Sequence, residues 1–272
     1  MSTKNAARTW SMRDLAVGIV VLFSLAVFVG CASTVPPSRI GDYVTKDAKL
    51  PTNSVIAMPD QRPVQAGLLV IADKTDPRSA PVLPDEAMAH FREELRQELG
   101  HGLPFTVKDL IQPDGITPSR TGGDLTQFRE LGKKHDVEYL VLVVVSSTEV
   151  EYPTDLNLGG ATEGTPGLAR DNWALAEFAL VDLKTGRTMM QAEGRGWATL
   201  LRTYAPLMSS RYPVVYIQPN SQRVYWPPTW EGAPDTLRVA SYNLAGKNLV
   251  YKISRVWFEY LEGEAAARRS EK

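Results

Sequence analysis

Two carboxylates three residues apart, Asp73 and Asp76 in "ADKTD", stand where an apolar run ends in charge. At the carboxyl end of a strand they occupy the place where open α/β sheets gather ligands, and a pair of acids suits acid–base or metal chemistry. Polar residues also end strands with no chemical role, and no histidine is tied to this pair. The chain has three histidines, His90, His101 and His135, and none of their spacings fits a metal site. "GGATEGTPG", residues 159–167, is rich in glycine but lacks the Lys-Ser/Thr ending and the following helix that a phosphate cradle needs. No metal and no cofactor is expected, and the chain reads as non-catalytic; a hydrolase using Asp73 or Asp76 is the alternative.

The only cysteine, Cys31, has a different chemistry. It follows Lys4, Arg8 and Arg13 and then an uncharged run of 16 residues, Leu15–Gly30. A basic start, a short apolar run and small residues are the parts of a secretory signal peptide, and about 20 apolar residues are needed to span a bilayer. One cysteine cannot form an internal disulfide, but its thiol can carry a lipid. "VFVGC" resembles the lipobox of bacterial lipoproteins, with Phe28 where that family usually has leucine. The resemblance implies cleavage before Cys31 and acylation of the new terminus. Ala32 and Ser33 follow, with no Asp after the cysteine, which fits sorting to the outer membrane with the folded part facing the periplasm. Cleavage after Ala32 and an uncleaved anchor remain as alternatives.

Removal of residues 1–30 leaves 242 residues and a net charge of −3. That balance disfavours a nucleic-acid partner, which would need a basic stripe. Residues 31–63 contain "ASTVPPSRIGDYVTKDAKLPTN", poor in large apolar side chains, and read as a lipidated terminus and tether. A single domain is expected over residues 64–262, with loop insertions at 151–172 and 204–234 and a polar, fraying tail at 263–272.

Within that domain the hydrophobic spacing alternates between strand and helix. "VQAGLLVIAD" is a buried strand, and "EYLVLVVV" is apolar on both faces as a central strand should be. Between them, Met88, Phe91, Leu95 and Leu99 mark one helix, with Asp85 as its cap and Gly100 at its end. "LPFTVKDLI" is a second strand, and Leu125, Phe128 and Leu131 mark a second helix opened by Asp124. Two strands then flank "DLKTGR", whose Gly186 supplies a positive φ, and a long helix runs from Asp235 to about Leu261. The order β-α-β-α-β-β-β-α predicts an α/β fold: a mixed β-sheet with a long C-terminal helix packed on it.

"LLVIADKTD", "LGKKHDVEYLVL" at Leu131–Leu142 and the Asp182, Thr185, Gly186 turn of "ALVDLKTGRTM" resemble the TolB amino-terminal domain and the periplasmic domain of the curli-secretion lipoprotein. The similarity covers roughly residues 64–202 and the last helix. It implies envelope work through protein contacts: secretion, assembly or regulation, with a homo-oligomer as one form. The curli channel builds its pore from long membrane hairpins, and the two insertions here lack the alternating pattern such strands require. No pore is expected.

One segment stands out by composition. Between Tyr204 and Trp230 lie six aromatics and five prolines, Pro206, Pro213, Pro219, Pro227 and Pro228. Amphipathic rings on stiffened backbone suit a binding surface, and Tyr216, Tyr225, Trp226 and Trp230 are the candidates for a protein partner. The same rings could bind glycan or peptidoglycan, or fold back to cap the core.

Overall fold

The structure is a computed structural model that describes residues 35–44, 53–56, 58–59, 62–100, 102–113, 115–116, 125–156, 165–203, 213–218, 224–225, 227, 229 and 231–270. It has the expected class: a mixed α/β fold with a long C-terminal helix on the sheet. The strands are β1 (Ser54–Val55), β2 (Val64–Ala72), β3 (Phe105–Ile111), β4 (Tyr139–Leu156), β5 (Thr165–Asp182), β6 (Thr188–Thr203), β7 (Val214–Gln218) and β8 (Val224–Tyr225). The helices are α1 (Asp85–Glu98), α2 (Leu125–His135) and α3 (Ala233–Ser270). Sheet order is β3-β2-β4-β5-β6-β7-β8, with β1 paired to β6.

Parallel pairing of β2 with β3 and of β2 with β4 follows from the crossover helices. β3 and β4 flank β2 on opposite sides, and right-handed crossovers therefore send α1 and α2 to opposite faces. Met88, Phe91 and Leu95 of α1 join Tyr242, Ala245 and Leu249 of α3 on one face, over Val141, Val143 and Val145. On the other, Phe128 of α2 meets Leu69, Leu140, Leu142 and Val144. Leu68–Ile71 and Leu140–Val145 are all buried, as the two apolar runs require. Gly186 has φ 77°, and the Asp182 carboxylate accepts bonds from the Thr185 hydroxyl and the Lys184 amide beside it.

Four expectations need correction. Residues 35–44 do not stand off as tether: Ile40, Tyr43 and Val44 are buried against the α2 face of the sheet. Residues 151–156 and 165–172, and Val214–Gln218 within the second insertion, are strand, not loop. The ribbon is polar, and cross-strand pairs hold it: Glu151 to Arg170 at 2.6 Å and to Arg202 at 2.8 Å. Residues 263–270 continue α3, tied down by Arg62 to Glu264 at 3.2 Å. Asp85 lies inside α1 and makes no capping bond from the N-cap position, which Pro84 fills. Among the described residues no helix is long and apolar enough to cross a membrane.

Candidate functional site

The carboxylates at the end of β2 are already engaged. Asp73 is buried; its Oδ2 accepts from the Tyr43 hydroxyl at 2.7 Å, and its Oδ1 from the Thr75 amide and hydroxyl at 2.8 and 2.7 Å. Burial, then the bond to Asp73, raises the Tyr43 phenol far above its ordinary value. Asp76 accepts from the Arg78 amide at 2.8 Å and pairs with the Arg78 and Arg39 guanidinia at 3.2 and 3.5 Å. The Arg78 side-chain bond is the first cause holding the Asp76 carboxyl below its usual range.

A third carboxylate completes this cluster, and sequence reasoning missed it. Glu177 of β5 is buried and accepts from the Ser38 hydroxyl and from the Arg39 and Ile40 amides at 2.6 and 3.1 Å. Two amides and a hydroxyl converging on one carboxylate make a short anion nest at the start of the 3-10 turn Ile40–Asp42. Asp73, Asp76 and Glu177 thus each hold part of the segment Ser38–Tyr43 to the sheet. The chemistry of the cluster is docking. His90 lies exposed 3.9 Å from Glu94, and His135 contacts Asp109; neither converges on these acids.

The sheet's second feature lies on the same face, past α2 and the 3-10 turn. Cross-strand register sets out three rows. The first is Thr148–Trp173–Trp197–Gln218, the second Val150–Asp171–Thr199–Tyr216, and the third Tyr152–Ala169–Leu201–Val214. Trp173 and Trp197 stack with centroids 4.2 Å apart and planes at 13°, and both indole N–H groups are buried without a partner among the described residues. Asp171 accepts from the Thr199 hydroxyl at 2.6 Å and the Tyr152 hydroxyl at 3.2 Å, which fixes the ring of Tyr152. Val150 and Tyr152 are 42% and 40% exposed, values that place them at the rim. The arrangement sets aromatic and apolar side chains around the hydrogen-bonded Asp171.

Of the aromatics expected to bind a partner, Tyr216 belongs to this face. Tyr225 does not: it pairs with Val215, whose side chain packs under α3, and so lies on the opposite face. Trp226, Trp230 and Cys31 lie outside the described residues, as do His101 and residues 159–164 of the glycine-rich stretch. The Trp173–Trp197 pair was not anticipated, yet the sequence holds a signal. Both tryptophans stand twelve residues from Thr185, at the turn, so a hairpin closed at "DLKTGR" makes them cross-strand neighbours.

The sequence matches no protein-family model and no curated protein. Among solved structures it is similar to a protein described as a neuraminyllactose-binding hemagglutinin homolog from Helicobacter pylori, at 9% identity and a TM-score of 0.38, over 85% of this chain and 98% of that one. It is also similar to the PelC dodecamer from Paraburkholderia phytofirmans, at 12% identity and a TM-score of 0.30, over 74% and 94% of the chains. A third similarity is to protein XCC0632 from Xanthomonas campestris, at 13% identity and a TM-score of 0.24, over 80% and 97%. At these identities and TM-scores the likenesses carry no assignment of family or activity.

Proposed function

We propose that this chain is a lipid-anchored, non-catalytic protein-binding or assembly module of the bacterial envelope, attached through Cys31 to the outer membrane and facing the periplasm. The resemblance of "LLVIADKTD" and "LGKKHDVEYLVL" to the TolB and curli-secretion domains, and of "VFVGC" to a lipobox, supports the setting. The observation that carries the binding role is the three-row face of β4–β7 around Trp173, Trp197 and Tyr216. One further fact favours a protein over the hydrolase alternative: Asp73 and Asp76 are taken up in docking the N-terminal segment, which leaves that reading without free acids.

The test is affinity purification of the full chain from solubilised membranes, with co-purifying proteins identified. Tyr152→Ala combined with Tyr216→Ala is expected to weaken a specific association by about 2 kcal/mol while the melting temperature moves little. Unchanged association in that double variant would overturn the assignment of this face. Release of peptidoglycan fragments instead of a protein would return the reading to glycan binding.

A further inference from the structure

The distal half of α3 carries an apolar stripe on the side turned away from the domain. Tyr251, Phe258 and Leu261 are 63%, 61% and 39% exposed. Tyr251, Ser254, Phe258, Leu261 and Ala265 follow steps of three, four, three and four, the spacing of a two-helix seam. The opposite side of the same turns is committed: Ile253, Val256 and Trp257 are buried, Trp257 stacks on Tyr260 at 5.5 Å, and Arg62 sits 5.2 Å over the Trp257 ring. Arg62 also pairs with Glu264, so the helix bearing the stripe is pinned on both sides of Phe258. These exposed rings are therefore presented on a fixed element, and fixing the element beforehand lowers the ordering cost of pairing.

We infer that the α3 stripe Tyr251–Phe258–Leu261 pairs antiparallel with the same stripe of a second copy of this chain. Charge selects the occupant and the direction. Arg255 and Glu262 lie seven residues apart, two turns along one flank of the seam. In an antiparallel pair of identical helices that flank faces itself, which sets Arg255 of one copy against Glu262 of the other, twice, by the two-fold axis. A parallel pair would face this flank with the one bearing Trp257 and Glu264, which is turned toward the domain and already engaged. Arg255 meanwhile bonds Glu259 at 2.8 Å on its own helix, an exposed pair that is easily exchanged. With only about four turns of contact, the interface is smaller than the standard ~1,600 Å² and the association is weak and concentration-dependent. This inference is independent of the sheet face proposed above.

The experiment co-expresses full chains bearing two different tags, solubilises the membranes and measures capture of one tag by the other. Wild type is expected to co-capture, and Phe258→Glu to reduce co-capture about tenfold with an unchanged melting curve, because the ring is exposed. Arg255→Glu alone and Glu262→Arg alone each lower it about fivefold by setting like charges opposite, and the double variant restores it to within about twofold of wild type. Glu259→Gln, which removes only the partner on the same helix, leaves co-capture intact. Insensitivity to the single reversals, or failure of the double variant to recover, overturns the pairing. Capture of a different protein through Phe258 with no self-capture overturns it as well.

Discussion

Glu177 faces Glu193 directly across β5 and β6 and is itself buried, so its charge is held at a cost. Burial is the largest influence raising its carboxyl above the ordinary 4.5; the Ser38 hydroxyl and the Arg39 and Ile40 amides oppose the shift, and Glu193 adds to it. An acid whose native pKa is raised binds its proton more tightly folded than unfolded. Its contribution to stability is therefore complete below 4.5 and is lost as pH rises through the higher native value. Glu177→Gln cannot titrate. Melting temperatures of wild type and Glu177→Gln, measured from pH 7 down to the unfolded value, should show wild type gaining on the variant as pH falls. A constant difference over that range would mean the carboxylate is not buried as described.

At the scale of elements, α3 meets β6 with unusual intimacy, and two glycines permit it. Gly194 and Gly196 lie two apart, hence on one face of the strand. A Cβ on Gly196 would stand 2.0 Å from the Ser241 carbonyl oxygen, and one on Gly194 would stand 2.2 Å from the Leu249 amide nitrogen. Both neighbours are helix backbone and cannot swing aside. Gly196→Ala is therefore expected to cost about 3 kcal/mol or more, read as a lowered denaturation midpoint in urea, whereas an exposed glycine such as Gly263 should tolerate alanine. The order from β2 to β6 was legible because helix and strand periods differ along the chain and Gly186 marks the hairpin. This close approach was not, since "EGRGW" reveals its meaning only once α3 is laid across it. Nor was the length of β4 and β5 beyond the core. Periodicity reports apolar burial, while Glu151, Arg170 and Arg202 hold that ribbon together through charge.

Over the whole molecule, Asp73, Asp76 and Glu177 tie the segment Ser38–Tyr43 to the rest of the domain. Asp73 and Asp76 read in the sequence as a possible chemical pair, but their role depends on Tyr43 and Arg39, 30 and 37 residues earlier, which no local pattern connects to them. Tyr216 and Tyr225 looked like one surface until the pairing of β7 and β8 sent them to opposite faces. The candidate at Cys31 rests on sequence alone, and its consequence is a matter of cellular location. Ser38 is docked to Glu177 only seven residues beyond Cys31, a span that cannot exceed about 25 Å even fully extended. Lipidation would thus restrict the domain to the membrane surface. Several acyl chains anchor stably where one alone is marginal. Cys31→Ser removes the acceptor thiol, so the variant is expected either to remain uncut or to appear in the soluble fraction. Its melting temperature should stay close to wild type, because every bond holding Ser38–Tyr43 survives the change. Fractionation followed by mass measurement of the N-terminus decides the matter. A correctly cut, membrane-retained Cys31→Ser protein would remove the lipid anchor from this account and leave the binding face to be explained without it.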